Sequence, residues 1–306
     1  MKISSWNEWD TLKEIVVGDA THANWPSNDP VFAREGEKTL WKETPVPSGP
    51  VPQHIIDEAN EDLEILVNIL KQANVTVHRP RPMNFVELGG MYNYCPRDRL
   101  IIAGDRVIDP VMMYPCRDQE IFALDFVCQN ARELLYMPRN AGHVMDAANV
   151  CRLGDRWIYL ESPSGNRSAY EWLCKQLPDI KIELVNFYSG VHIDSTISPL
   201  CEGTVLINAG RVKPENLPES LKGWDIIWVD NVVERDFYQY PYASKWIGMN
   251  VLSIDPRTVV VDKCQKELIT ILEKKKFTVI PHELRHSRTL GGGYHCVTLD
   301  TWRQHD

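Results

Sequence analysis

Two incompatible chemistries share the segment HELRHSRTLGGGYHCVTLD, residues 282–300. His282-Glu283-Leu284-Arg285-His286 spells H-E-x-x-H. That pattern ligates zinc only on a helix, where the two imidazoles fall on one face. Here a strand-like FTVIP with Pro281 comes directly before it, a glycine run ends the segment about one turn later, and no third ligand is evident downstream. A chance match in a loop is the better reading, and no metal or organic cofactor is expected. The second chemistry is that of a thiol, because Cys296 follows His295 and Gly291-Gly292-Gly293. No G-K-[ST] follows the glycines, so they do not form a phosphate loop. They read instead as mobile backbone that lets Cys296 approach a substrate, against the plainer alternative of an ordinary loop with a buried cysteine.

A nucleophilic thiol needs a base or a positive field, and a histidine base needs a carboxylate to fix its tautomer. Candidates for these roles recur in small polar clusters: Pro96-Arg97-Asp98, Met145-Asp146-Ala147, His192-Ile193-Asp194, Ser244-Lys245 and His295-Cys296. Singly, His192 is more often a structural residue and each aspartate more often a solvated turn residue. As a set, they offer Cys296 a histidine (His192), a carboxylate for that histidine (Asp146) and two further carboxylates (Asp98, Asp194). Two carboxylates beside a thiolate suit a planar guanidinium with its fork of N–H donors.

The elements around these clusters repeat. RLIIAGDRVIDP (99–110), ANVCRLGDRWIYLES (148–162), TISPLCEGTVLINAG (196–210) and NVLSIDPRTVVVD (250–262) each read as two apolar runs around a tight turn, hence hairpins. Helical spacing follows in 52–74 and 263–276. Apolar strands then appear at 75–80, 180–187, 224–230 and 277–283. With TLKEIVVG near the N-terminus, about five ββαβ-like units recur at roughly 50-residue intervals. This predicts a propeller-like or barrel-like α/β array rather than a doubly wound sheet. Equivalent positions in such an array converge on its axis, so Asp98, Asp146, His192, Asp194, Ser244 and Cys296 are expected to share one pocket. The Pro-rich stretch 45–52 reads as a surface loop, and the chain as a single domain over 1–306.

Composition excludes several classes. The 306 residues carry a net charge of −9 with no long basic run, which argues against nucleic-acid binding. The polar N-terminus is no signal peptide, and no apolar stretch is long enough for a membrane span, so a cytoplasmic protein is expected. Eight scattered cysteines without a C-x-x-C pair argue against a disulfide framework.

The chain resembles the arginine amidinotransferases nearly end to end. Six stretches carry the likeness: NEWDTLKEIVVG (7–18), YCPRDRLIIAGDRVID (94–109), MDAANV (145–150), VHIDST (191–196), SKWIGMNVL (244–252) and LGGGYHC (290–296). The resemblance implies a five-bladed pseudo-symmetric α/β-propeller of the pentein type. It implies Cys296 as nucleophile, His192 as general acid and base, Asp146 as its partner, and Asp98 and Asp194 as the grip on the guanidino group. Arg211, in INAGRV, falls where the family binds the donor's carboxylate, and Ser244 in a substrate-lining motif after Ala243. Ser189 lies in a loop, 188–191, that departs from the glycine-specific pattern, and the stretch 118–146 is shorter than in longer relatives. The implied partners are L-arginine as donor, a small amine as acceptor with glycine as the default, and a possible second copy in a homodimer. The alternatives are a hydrolase or deiminase using the same site, and a non-catalytic guanidine-binding protein.

Overall fold

A computed structural model describes residues 1–26, 28–38, 45–188 and 190–305. Five three-stranded sheets are built to one plan: an antiparallel hairpin followed by a third strand parallel to the hairpin's second strand. The first blade contains Ile101–Ala103, Arg106–Asp109 and Glu133–Tyr136. The second contains Val150–Leu153, Arg156–Leu160 and Lys181–Val185. The third contains Ile197–Cys201, Thr204–Asn208 and Asp225–Val229. The fourth contains Leu252–Asp255, Thr258–Asp262 and Thr278–His282. The fifth joins the two ends of the chain: Thr298–Gln304 pairs antiparallel with Thr11–Val17, which pairs parallel with Thr76–His78.

A parallel third strand requires a crossover. In the fifth blade this is the helix Gln53–Gln72, whose buried stripe runs through Ile55, Ala59, Leu63, Leu66 and Leu70. A fully buried leucine of this kind contributes about 1.5–3 kcal/mol. Arg167–Gln176 and Lys266–Lys274 do the same for the second and fourth blades. The first and third blades cross over through short helical turns instead, including Pro115–Leu124 and Glu219–Leu221. The middle strands Arg106–Asp109, Arg156–Leu160 and Thr258–Asp262 are buried almost throughout, as expected of strands covered on both faces.

The architecture is the expected five-bladed α/β-propeller. One expectation is corrected in part: within the Pro-rich stretch, Gly49–Pro50 pairs with Asn24–Trp25 in a small two-stranded ladder. No helix among the described residues is long and apolar enough to cross a membrane.

Candidate active site

Each blade's first strand is preceded by a tight turn, and these turns carry the polar clusters. Pro96–Asp98, Ala147–Asn149 and Lys245–Met249 are single 3₁₀ turns. These turns bring residues from across the chain together, as Asp98, Asp146 and His192 show.

His192 stands between two carboxylates. Its Nε2 lies 2.9 Å from Asp146 Oδ2 and its Nδ1 3.7 Å from Asp98 Oδ1. The other Asp146 oxygen accepts from the Met113 amide at 2.8 Å, which fixes the carboxylate plane. His192 has a left-handed backbone, φ +56°. That conformation costs of order 1–3 kcal/mol for a residue with a side chain. The Tyr188 hydroxyl, donating to the His192 carbonyl, helps hold it. Burial pulls the imidazole down, but Asp98 and the bond to Asp146 outweigh it and push its pKa up to about 9. His192 is therefore an imidazolium at neutral pH, a ready acid.

Cys296 is 2% exposed, and its thiol donates to Asp194 Oδ2 at 3.1 Å. The same oxygen takes His295 Nδ1 at 3.0 Å, while His295 Nε2 meets Glu8 Oε2 at 3.1 Å. With a carboxylate at each ring nitrogen, His295 is a doubly donating imidazolium. Burial raises the Asp194 carboxyl, but His295 overcomes this and brings it to about 2. Burial, then Asp194, Cys95 and Asp98, hold the Cys296 thiol well above its usual value. Without a cation beside it, the sulfur is therefore held as the thiol. Asp98 Oδ1 is buried, with no hydrogen-bond partner among the described residues.

The glycines before Cys296 act differently from expectation. A side chain at 292 would begin 2.6 Å from Cys95 Sγ, and one at 293 would begin 2.7 Å from Asn250. The run allows close packing rather than looseness. Asn250 Oδ1 accepts from the amides of His295 at 2.8 Å and Cys296 at 3.2 Å, so the cysteine's turn is bolted to the start of the fourth blade.

Arg211 and Ser244 meet one another: Arg211 Nη2 donates to Ser244 Oγ at 3.3 Å and Nη1 to Thr196 Oγ1 at 2.8 Å. The guanidinium lies 4.4 Å over the Tyr188 ring, and Thr196 donates to the Tyr188 oxygen at 2.8 Å. This second cluster thus reaches His192 through Tyr188. Ser189 lies outside the described residues.

The H-E-x-x-H match is not a helix. His282 ends a strand, paired with Asp262, and packs edge-on against Tyr294. His286 directly precedes the short helix Ser287–Leu290 and binds Glu58 at 2.7 Å. Among the described residues, no His/Cys/Asp/Glu group of three or more is arranged to hold a metal ion.

Reading the sequence missed Arg117, Glu120, Asn250 and Glu8. Asn250 and Glu8 lie inside stretches that carried the resemblance, so a signal existed. Arg117 and Glu120 lie apart from every matched stretch and offered none.

No family model matches the chain. Individual proteins do. The chain is 38% identical to inosamine-phosphate amidinotransferase 1 of Streptomyces griseus, over 98% of this chain and 97% of that one. It is 28% identical to the L-arginine:L-lysine amidinotransferase of Pseudomonas savastanoi pv. phaseolicola, over 99% and 94%. The solved inosamine-phosphate amidinotransferase from Streptomyces griseus superposes with a TM-score of 0.90 at 35% identity, covering 99% of this chain and 97% of that one. With relatives that match it end to end in sequence and in structure, the chain belongs to the amidinotransferases, enzymes that transfer amidino groups.

Proposed function

We propose that the chain, acting as one catalytic domain, moves the amidino group of L-arginine to an acceptor amine through a covalent adduct on Cys296. The observation that carries this is the convergence, within one cluster, of a buried thiol, an imidazolium and an Asp98 oxygen that makes no hydrogen bond among the described residues. The arginine donor is supported by the relative named for arginine and lysine.

Arginine's guanidinium enters between Asp98 and Asp194, and its charge releases the Cys296 proton to solvent. The thiolate attacks the guanidinium carbon. As the bond from that carbon to the side-chain nitrogen breaks, His192 gives its proton to the departing nitrogen, and ornithine leaves as the amine. An amidino group remains on sulfur, still cationic and still gripped by the two aspartates. The acceptor amine attacks the same carbon and loses a proton to His192. The C–S bond breaks, and thiolate and imidazolium are restored. Asp146 holds the histidine in register throughout. Arg211 and Ser244 take the donor's amino-acid end.

For the acceptor, an aminocyclitol phosphate stands ahead of glycine. The inosamine-phosphate enzymes are more similar to this chain, at 38% identity, than the glycine amidinotransferase of Xenopus tropicalis, at 26%. A screen of acceptors against protein pre-loaded with arginine separates these: guanidinylated glycine as sole product would reverse that order. A deiminase would give citrulline from arginine alone, with no requirement for an amine.

A further inference from the structure

The two carboxylates facing the reaction centre are each held from behind by a buried cation, itself held by a second buried carboxylate. Behind Asp194 stands His295, backed by Glu8. Behind Asp98 stands Arg117. Arg117 Nη1 donates to Asp98 Oδ2 at 2.8 Å, while Nε and Nη2 fork onto the two oxygens of Glu120 at 2.8 and 2.9 Å. Nη2 also reaches the Cys95 carbonyl at 3.5 Å, and the guanidinium carbon sits 5.1 Å from the centre of the Tyr92 ring. Asp98, Arg117 and Glu120 are all at most 3% exposed. The Nη1 bond commits Asp98 Oδ2, while Oδ1, with His192 Nδ1 at 3.7 Å, is left without a hydrogen bond among the described residues. A buried acceptor without a hydrogen bond is costly to keep, so its presence marks a place kept for a donor.

We propose that Arg117, locked by Glu120, is a positioning residue for the guanidino donor: it pins one oxygen of Asp98, aims the other at the substrate's N–H groups and keeps the carboxylate charged. This rests on the amidino-transfer reading above. A carboxylate without such a clamp rotates, and a buried one without a cation takes up a proton.

The charge has a measurable consequence. Burial raises the Asp98 carboxyl, His192 and Arg117 pull it down, and Asp146 pushes it up. Glu120 stands behind Arg117, and the thiols of Cys95 and Cys296 and the phenols of Tyr92 and Tyr242 also face Asp98. Burial raises all four of those last groups, so they stay neutral through the acid range. Removing Arg117's charge therefore raises Asp98 further. A protonated Asp98 does not grip a guanidinium, so the acid side of the kcat/KM profile for arginine moves to higher pH.

The test uses Arg117→Met with Glu120→Met, which removes both partners and leaves neither charge of the pair uncompensated. Arg117→Lys keeps the charge and loses the fork. Ornithine release from arginine is followed across pH, with thermal melts beside it. The double variant is expected to raise KM for arginine tenfold or more and to move the acid limb upward. Arg117→Lys is expected to keep the limb at the wild-type pH with an intermediate kcat/KM. A folded double variant with unchanged KM and limb overturns the proposal. So does a lysine variant whose limb moves with the neutral one. If the methionine pair does not fold, Arg117→Gln with Glu120→Gln carries the same expectations. A wild-type protein that forms no adduct and releases no ornithine overturns the amidino-transfer reading and this inference together. Unchanged variants beside an active wild type overturn this inference alone.

Discussion

His192 makes the site's most direct residue-scale prediction. Its pKa rises to about 9 in the folded protein, against about 6.5 in an unfolded chain. A raised histidine stabilises fully below the unfolded value, and the contribution is lost as pH rises through the folded one. Denaturant melts should therefore show stability falling by on the order of 3 kcal/mol between about pH 6.5 and 9. His192→Gln should flatten that slope. The same imidazolium must be present to protonate the leaving amine, so kcat/KM for arginine should decline above about pH 9. His192→Asn should lower kcat by roughly 10²–10⁴-fold. A wild-type profile flat to pH 10, or a His192→Asn variant within threefold of wild type, would remove His192 from the chemistry.

At the scale of elements, the turn that carries Cys296 depends on one asparagine and one glycine. A methyl group at Gly293 would begin 2.7 Å from the Asn250 side chain, whose Oδ1 holds the amides of His295 and Cys296. Gly293→Ala should cost about 1–3 kcal/mol by overpacking and displace the thiol. Calorimetry and adduct formation with arginine should fall together. Normal adduct formation in a destabilised Gly293→Ala protein would show that Asn250 does not set the thiol's place. Much of this level was legible in advance. The hairpins announce themselves through apolar runs about a short polar turn, and the recurrence of those hairpins placed the polar clusters in equivalent turns. What stayed hidden was contact between distant segments. Glu8 reaches His295 across 287 residues, and Arg117 reaches Asp98 across 19. Neither spacing has a period. The glycine run misled because flexibility and tight packing call for the same residue.

At the scale of the molecule, the blades are tied by one buried charge cluster. Asp300, fully buried on the closing strand, binds Arg152 of the second blade at 2.8 Å, Arg303 beside it at 2.6 Å, and Arg97 of the turn before the first blade at 2.5 Å. Arg152 in turn forks onto Glu8, which backs His295. Asp300→Ala leaves three arginines short of a partner and should cost roughly 3–5 kcal/mol, read as a lower Tm and an earlier urea midpoint. A loss below 1 kcal/mol would mean that the network relaxes around water and is not the tie between the blades. Through Glu8, the same variant should also slow adduct formation.

The central claim is that Cys296 carries the amidino group. Intact-protein mass spectrometry after mixing with L-arginine alone, with the small products analysed in parallel, addresses it directly. The expected result is a gain of one amidino group on the peptide bearing Cys296, one ornithine released per chain, and neither in Cys296→Ala. Ornithine released by Cys296→Ala, or citrulline accumulating without an adduct, would contradict it.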